Sequence, residues 1–303
     1  MELFSRAARY FEAVAREGSV RAAARAINVA ASAVNKHILE LERDIGVPLF
    51  SRTAQGLRLT AEGKILAEHL RHWMQDARRT RELIEDLSSL RSGHVRIGVV
   101  EGLLDFLLNG PLPEFRQLYP QVGVDVGVAT STELQRQLVE GDCDIVIAFN
   151  PRPNAAFGIR ACAPCHVGAI MAPGHPLAEQ PLLTLEMLAG LPVGVPSGTP
   201  RLSSVIELAE ERTGVKLWRA SRSTSVATLK RMASEPPFVA IFTDVEIHAE
   251  AQAGVLIHRR LTGDPFAPML LTVLAREDED PGFATEAFLS LLSTRFLAAF
   301  GAT

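Results

Sequence analysis

Residues 19–43 read SVRAAARAINVAASAVNKHILELER, and this stretch decides the fold of the N-terminal part of the chain. Its alanine-rich first half predicts a short helix over 20–27, which Asn28-Val29-Ala30 interrupts. A second, amphipathic helix is predicted over 31–43. Its apolar residues, spaced four, three and four positions apart, are Val34, Ile38, Leu41 and Ile45. Two short helices joined by a tight turn are typical of a DNA-binding helix-turn-helix, although an ordinary helical hairpin produces the same pattern.

The charge distribution indicates that only the N-terminal end meets nucleic acid. The 303-residue chain has a net charge of −4, yet residues 1–60 hold nine Lys and Arg against six Asp and Glu. A basic end on an acidic body is typical of a protein whose end binds DNA. The three cysteines are too few for a disulfide framework. The chain opens with no secretory leader, and no apolar run approaches the length of a membrane span. These features predict a soluble, cytoplasmic protein without a membrane partner.

The flanking segments extend the helical unit and suggest its DNA-contacting face. A first helix is predicted over 4–17, ended by Gly18, and Ser19 can cap the next helix. Short polar and cationic side chains near the start of a helix suit base edges and phosphates. The side chains of this kind opposite the apolar stripe are Ser32, Asn35 and Lys36. The alternative is a solvated polar face, which any surface helix has.

A β-hairpin is predicted to follow the second helix. Two short extended segments flank Gln55-Gly56, a pair suited to a tight turn. Arg52 and Arg58 stand on this hairpin, where they can contact backbone phosphates, although each is equally consistent with a plain surface charge. The hairpin would be the wing of a winged helix-turn-helix, whose partner is double-stranded DNA.

A long helix is predicted after Thr60, because no helix breaker occurs between Gly63 and Gly93. About 30 residues of helix would reach roughly 45 Å. Its apolar residues repeat at four-three spacing over three heptads, which predicts a homodimer seam. The seam residues are Leu66, Leu70, Trp73, Ile84 and Leu87. The alternative is that this face packs on the body of its own chain.

The run AARYFEAVAREGSVRAAARAINVAASAVNKHILELERDIGVPLFSRTAQGLRLTAEG, residues 7–63, resembles the winged helix-turn-helix of the LysR-type transcriptional regulators. The helix after Thr60 resembles their linker helix. The family often has Ser-Gln-Pro-Ala-Val-Ser-Arg-Gln where this chain has residues 30–37, so the usual glutamine is absent at Ala31. The resemblance implies binding of operator DNA as a homodimer or homotetramer and a small-molecule effector, but no inherited operator preference.

From His94 onwards, apolar segments alternate with helical patterns, which predicts an α/β fold with parallel sheets. The resemblance implies two periplasmic-binding-protein-like α/β subdomains, joined by crossovers that we place near 162–172 and 265–275. The predicted domains are a winged helix-turn-helix over 1–60, a dimerising linker helix over 61–92 and a regulatory domain over 93–303. Within the regulatory domain, subdomain I takes about 93–162 and 270–303, and subdomain II about 163–269.

The ends of the predicted strands suggest an effector pocket. Ligands of open parallel sheets bind beyond the carboxyl ends of the strands, beside helix N-termini. The resemblance implies that the polar residues at these ends line the pocket. They are Glu101, Thr130, Ser131, Asn150, Ser197, Thr199, Arg201, Ser223 and Thr243. The alternative role for each hydroxyl by itself is a helix cap.

The charges in this set suggest a class of effector. Glu101 lies where the family often carries Ser or Thr, and its carboxylate would attract a cationic or hydroxyl-bearing group. Thr199 and Arg201, at a helix start, favour an anionic or oxygen-rich group. We therefore expect an effector with both kinds of group, such as an amino acid-like or polyhydroxylated metabolite. The alternative is that Glu101 caps the helix that follows it.

Cys162 and Cys165 suggest an alternative function. The sequence Cys-Ala-Pro-Cys-His matches a haem attachment pattern, but attachment needs export. A DNA-binding thiol redox sensor remains open, as does the plainer interpretation of two small thiols on a crossover strand. A zinc site would need more ligands, and Cys143 and the scattered histidines show no suitable spacing. An enzyme with an appended DNA-binding domain is the weaker alternative, because no catalytic or phosphate-binding motif is present. We predict no cofactor, metal or catalytic residue.

Overall fold

The computed structural model of the protein describes residues 5–53, 56–88, 93–277 and 281–301; at positions 75, 78, 79, 81–88 and 200 it describes the backbone but not the side chain. The chain divides into two compact units, residues 1–87 and residues 88–303. The first unit is helical with a small hairpin, and the second contains two five-stranded sheets.

Three helices form the start of the first unit: α1 (Arg6–Glu17), α2 (Val20–Ala26) and α3 (Ala31–Ile45). Gly18 ends α1 with a left-handed φ of 63°, and the Ser19 hydroxyl accepts a hydrogen bond from the backbone N–H of Ala22 at the start of α2. Between α2 and α3 the backbone turns at Asn28, whose φ is 56°. Asparagine tolerates this left-handed conformation better than most residues. The predicted helix-turn-helix is confirmed.

The apolar stripe of α3 lies in the core of this unit for most of its length. Val34 and Ile38 are buried with Phe11 and Val14 of α1. Leu41 is partly buried against the same cluster, whereas Ile45 is 45% exposed. Ile45, the last residue of α3, is therefore the exposed end of this apolar stripe.

A hairpin follows α3 and is tied to its end. Strands β1 (Phe50–Thr53) and β2 (Gly56–Leu59) pair antiparallel, so the predicted wing is present. Gln55 lies outside the described residues, so only Gly56 of the predicted Gln55-Gly56 turn is described. One carboxylate oxygen of Glu42 accepts hydrogen bonds from the N–H groups of Leu49 at 2.7 Å and Phe50 at 3.1 Å. These bonds fix the first strand of the wing to the last turns of α3.

The long helix α4 (Ala61–Ser88) has 28 residues, which corresponds to about 42 Å. The Thr60 hydroxyl caps it by accepting a hydrogen bond from the N–H of Gly63 at 2.9 Å, as predicted. The same hydroxyl donates to the Pro48 carbonyl at 2.8 Å. Thr60 therefore joins the segment before the wing to the first turn of the long helix.

The second unit begins with β3 (Gly93–Val99), α5 (Leu104–Asn109), α6 (Pro111–Leu118), β4 (Val122–Val128), α7 (Ser131–Val139), β5 (Ile145–Phe149) and β6 (Phe157–Cys165). It continues with β7 (Val167–Met171), β8 (Val193–Pro196), α8 (Pro200–Thr213), β9 (Ser221–Ser223), α9 (Val226–Ala233), β10 (Val239–Thr243), α10 (His248–Gln252), β11 (Ile257–Arg260), β12 (Met269–Arg276) and α11 (Phe283–Phe300). Short 3-10 helices cover Glu101–Leu103 and Asp244–Ile247.

The strands form two separate sheets, as expected for two α/β subdomains. Their orders are β4-β3-β5-β12-β6 and β11-β7-β10-β8-β9. Both sheets are mixed, because β12 runs antiparallel to β5 and β6, and β7 runs antiparallel to β10 and β11. The expectation of parallel sheets is thus correct only for the strands within each βαβ segment. The antiparallel strands are those next to the crossovers, where the chain passes from one sheet to the other.

The chain changes sheets at two places. β6 ends at Cys165 in the first sheet and β7 begins at Val167 in the second, so His166 alone makes the first crossover. The chain returns through residues 261–268 to β12 of the first sheet. The first crossover lies inside its predicted interval, and the second begins slightly before its own.

Among the described helices, the last one has the length and composition of a membrane span. α11 has 18 residues with only Glu286 and Arg295 charged, and by length and composition it would suffice to cross a membrane. Instead, Phe288, Leu292 and Phe296 are fully buried in the core of the first sheet's subdomain. Its apolar character is that of a core helix packed on β3, β6 and α6.

Candidate nucleic-acid interface and effector cleft

The exposed side of α3 carries the three predicted DNA-contacting residues. Ser32, Asn35 and Lys36 are all exposed, whereas Val34 and Ile38 on the other side are buried. The Lys36 side chain is 73% exposed, and its Nζ lies 3.8 Å from Glu40 Oε1. An ion pair so long and so exposed holds the lysine weakly, which leaves its ammonium able to contact a phosphate.

His37 is a residue of this helix that the sequence analysis missed. Its ring packs on Tyr10 of α1, with ring centroids 5.3 Å apart. Its Nδ1 lies 3.1 Å from Glu40 Oε2. The histidine therefore anchors the rim of the polar face to the first helix, a role that only the tertiary contact reveals.

The two wing arginines project from opposite faces of the hairpin. The strand register pairs Arg58 with Ser51 and Arg52 with Leu57. Paired residues of an antiparallel hairpin share a face, and adjacent residues of one strand alternate. Arg52 therefore shares the face of the partly buried Leu57, and Arg58 shares the outer face of Ser51. Both arginines are exposed, but their side chains lie on different faces of the hairpin.

Part of the predicted dimer seam of α4 is buried within the first unit itself, and part of it is exposed to solvent. Leu70 is only 5% exposed and belongs to the core of the helix-turn-helix, and Leu66 packs partly against the same core. The assignment of Leu70 to a dimer interface is corrected, since its side chain is already buried by α4's own unit. The side chains of Ile84 and Leu87 lie outside the described residues.

Another stripe of α4 remains open to solvent. Trp73 is 53% exposed and Ile65 is 60% exposed. His69 lies between them at four-residue spacing, with its ring centroid 6.1 Å from that of Trp73. Large apolar side chains on the open face of a long helix are suited to a second helix. The sequence analysis missed Ile65 because it assigned the whole apolar repeat to one seam.

Four hydroxyls of the predicted effector pocket have structural partners. Thr130 caps α7 by accepting from the N–H of Glu133 at 3.3 Å, and Ser131 accepts from the N–H of Phe149 at 3.1 Å. Ser223 accepts from the N–H of Ser225 at 3.0 Å. Thr243 is 2% exposed and donates its hydroxyl hydrogen to Glu246 at 2.7 Å. Thr130 and Thr243 therefore cap helices, the alternative that the sequence left open, whereas Ser131 and Ser223 bind backbone N–H groups that do not belong to a helix cap.

Asn150 retains a polar group without a described partner. It lies directly after β5 with a left-handed φ of 44°. Its N–H donates to the Leu270 carbonyl at 2.8 Å, and its Oδ1 accepts from the Leu270 N–H at 2.9 Å. Within the described structure, the buried Nδ2 has no hydrogen-bond partner. A buried amide that lacks an acceptor is suited to bind a ligand oxygen or a water molecule.

The predicted residues of subdomain II lie around the N-terminus of α8. Ser197 donates its N–H to the Ser223 carbonyl at 2.8 Å, which joins the ends of β8 and β9. Thr199 and Arg201 are exposed, and the Thr199 side chain makes no capping bond to α8. The backbone N–H groups at this helix start and the guanidinium of Arg201 favour an anionic group.

Glu101 crosses from subdomain I to subdomain II. Its Oε1 accepts a hydrogen bond from the N–H of Val226, the first residue of α9, at 2.8 Å. The sequence left two alternatives for Glu101, a ligand contact or a cap of the helix that follows it. The carboxylate does cap a helix, but that helix is α9 of the opposite subdomain. A carboxylate at a helix N-terminus also interacts favourably with the helix dipole.

Two further contacts join the subdomains near Glu101. Lys230 of α9 lies with its Nζ 3.4 Å from Asp105 Oδ2 of α5. Glu246 lies against Gly102, where a Cβ on the glycine would overlap the Glu246 carboxylate. Burial raises the pKa of Glu246, while hydrogen bonds from Thr243 act in the opposite direction. The sequence contains no signal for these pairs, because their members are more than a hundred residues apart.

The strand geometry separates the two cysteines of the thiol alternative. Cys162 is exposed and Cys165 is buried on the same strand, β6. Residues three apart on a strand project to opposite faces and are about 10 Å apart, too far for a disulfide. Burial raises the pKa of the Cys165 thiol, which lowers its reactivity. In the described parts of the chain, no group of three or more His, Cys, Asp or Glu residues could hold a metal ion.

Comparison with known proteins agrees with this architecture. Residues 5–64 match the family described as "Bacterial regulatory helix-turn-helix protein, lysR family", and residues 88–297 match the LysR substrate binding domain. The chain is 25% identical over 267 residues to BbuR of Bordetella bronchiseptica, covering 87% of this chain and 81% of that one. It is 40% identical over 142 residues to y4mQ of Sinorhizobium fredii, an uncharacterized regulator, but this match covers only 46% of each chain.

A solved structure has the same fold. Full-length CbnR, crystallised with its target DNA, matches with a TM-score of 0.60 at 19% identity, covering 97% of this chain and 99% of that one. An N-terminal helix-turn-helix with its wing and a two-sheet substrate-binding domain are therefore combined here as in known regulators. Because the substrate-binding match covers more than half of the sequence, the chain belongs to the LysR family of transcriptional regulators.

Proposed function

We propose that this LysR-family chain binds operator DNA as a homodimer or homotetramer in the cytoplasm and responds to a small molecule. The exposed Ser32, Asn35 and Lys36 on α3 carry the DNA part of this proposal. The opposite side of α3 is buried, so the helix can present only this polar side to a major groove. Membership of a family of transcriptional regulators favours this function over an enzyme with an appended DNA-binding domain.

Self-association through α4 supports the DNA proposal. Two half-sites require two recognition helices, hence at least a dimer. The open stripe of Ile65, His69 and Trp73 supplies an apolar surface for a second copy of α4. Leu66, at the edge of this stripe, is partly buried and can contribute to the same contact.

The effector is proposed to bind at the strand ends of the regulatory domain. Asn150 offers an amide group there that has no hydrogen-bond partner among the described residues, and the start of α8 with Arg201 favours an oxygen-rich or anionic group. Ser197 and Thr199 lie at the same helix start. Glu101 contributes by holding the N-terminus of α9, so a cationic ligand group would compete with the Val226 N–H for its carboxylate. We retain the prediction that the effector carries both a cationic or hydroxyl-bearing group and an anionic or oxygen-rich group.

The DNA proposal is tested by replacing Lys36 with alanine. Loss of one phosphate contact should weaken DNA binding and reduce the slope of log affinity against log salt by about one unit. The measurement is fluorescence anisotropy with operator DNA over a range of salt concentrations.

Lys216→Ala is the matched control for this test. Lys216 lies in the regulatory unit with a 75% exposed side chain, and its Nζ is 3.9 Å from Glu210, a pair similar to that of Lys36. It should retain the parent's affinity and salt slope. Equal behaviour of the Lys36→Ala variant and the parent would contradict the proposed docking of α3.

A further inference from the structure

A cavity of about 360 Å³ lies between the two subdomains. Its walls come from α5 of subdomain I and from α9, α10 and the segment after α10 in subdomain II. It shares only Glu101 with the predicted effector residues. The volume is within the range of small-ligand sites. The apolar side chains of its wall are Leu104, Val226, Ala227, Val255 and Leu256.

A buried ion-pair network forms the polar end of this cavity. The side chain of Lys230 is 7% exposed, and its Nζ lies 2.9 Å from Glu250 Oε1 and 3.4 Å from Asp105 Oδ2. Two carboxylates offset the cost of burying this ammonium. The carboxylates of the wall, Glu101, Asp105 and Glu250, outnumber the cations Lys230 and Arg231.

The second carboxylate oxygen of Glu250 is incompletely satisfied. Its Oε2 is buried, and among the described residues it has no hydrogen-bond partner. A buried carboxylate oxygen without a donor is costly, and a ligand N–H or O–H that reached it would remove that cost. Because the wall already has an excess of negative charge, a positively charged donor is favoured over a neutral one and an anion is disfavoured.

We propose that this cavity binds a small primary amine with a short aliphatic body. The ammonium group donates to Glu250 Oε2, and the carbon chain lies against Leu104, Val255 and Leu256. Since Leu104 belongs to subdomain I and Glu250 to subdomain II, the ligand contacts both subdomains at once. This binding does not depend on whether the strand-end residues bind the effector or whether the chain binds DNA.

Three probes with the same carbon chain and different head groups test the proposal. n-Pentylamine, 1-pentanol and pentanoate are titrated into the full-length protein by isothermal calorimetry. We expect saturable binding of the amine, at least tenfold weaker binding of the alcohol and no binding of pentanoate. Pentanoate binding as tightly as the amine, or failure of the amine to bind, would overturn the proposal.

Variants locate the binding in this cavity. Glu250→Gln should weaken amine binding at least tenfold and leave the weaker alcohol binding unchanged. The matched control is Glu207→Gln, because Glu207 is an exposed carboxylate on α8 outside the cavity. Since Glu250→Gln also removes a partner of Lys230, Ala227→Phe provides a second variant that fills the cavity from an exposed position of its wall. Unchanged amine binding in either cavity variant would show that the amine binds elsewhere.

Discussion

At the scale of single residues, burial distinguishes the three cysteines. Cys162 is exposed on β6, whereas Cys143 and Cys165 are buried. Burial raises the pKa of Cys143 to about 11, and nearby Asp144 acts in the same direction. A raised pKa lowers the fraction of thiolate near neutral pH, and the thiolate is the reactive form. Cys162 is thus the only exposed thiol of the three, and Cys165, the other thiol of its strand, is too far away to form a disulfide with it.

We therefore predict that iodoacetamide modifies Cys162 in the native protein near neutral pH and leaves Cys143 and Cys165 unmodified. Peptide mass spectrometry measures each site. The same reaction under denaturing conditions should label all three and serves as the control. A disulfide between Cys162 and Cys165 in peroxide-treated, still folded protein would restore the thiol-sensor alternative.

At the scale of elements, the junction between the wing and α4 depends on a close backbone contact. A Cβ at Gly63 would overlap the carbonyl oxygen of Leu49, a backbone atom that cannot rotate away. That carbonyl accepts a hydrogen bond from the Thr60 N–H at 3.0 Å. The glycine therefore allows the long helix to begin directly against the entry to the wing.

Gly63→Ala should destabilise the first unit by about 1–3 kcal/mol, the usual cost of overpacking. This sign is opposite to the ordinary effect of alanine in a helix, which stabilises by about 0.5–1 kcal/mol. Chemical denaturation followed by circular dichroism measures the change. Gly174→Ala is the control, since nothing lies within 4 Å of a Cβ there. Greater stability of the Gly63→Ala variant would refute the close contact.

At the scale of the whole molecule, α4 contributes to the core of its own unit and carries the proposed association surface. Leu70 contributes to the folding of its own unit, whereas Trp73, three residues later, remains half exposed. A substitution at Leu70 should therefore affect stability, and one at Trp73 should affect assembly. This separation distinguishes a dimer defect from a folding defect.

Trp73→Glu should shift the protein towards monomer, because a buried unpaired carboxylate in the proposed interface costs several kcal/mol. Sedimentation velocity measures the shift, and circular dichroism should show an unchanged fold. Lys64→Glu is the control, since Lys64 is exposed on the opposite side of α4. A Trp73→Glu protein that remains as fully associated as the parent would exclude this stripe from the interface.

The sequence by itself determined the features that arise from interactions between residues close together in the chain. Ser19 and Thr60 cap helices, Gly18 ends one, and the apolar period of α3 selects its buried side, because these effects act over a few residues. The family resemblance added the two-sheet regulatory domain. The polar face of α3 could likewise be identified from the helical period alone.

Only the tertiary structure decided the choices that depend on distant partners. Helical period alone could not show that Leu70 is covered by its own unit and Trp73 is not. The strand register, and not the spacing in the sequence, shows that Arg52 and Arg58 lie on opposite faces of the hairpin. Glu101 caps a helix that lies 125 residues further along the chain, and the cavity at Glu250 exists only because α5 and α10 meet. Such contacts arise from packing between elements, for which one sequence carries no local signal.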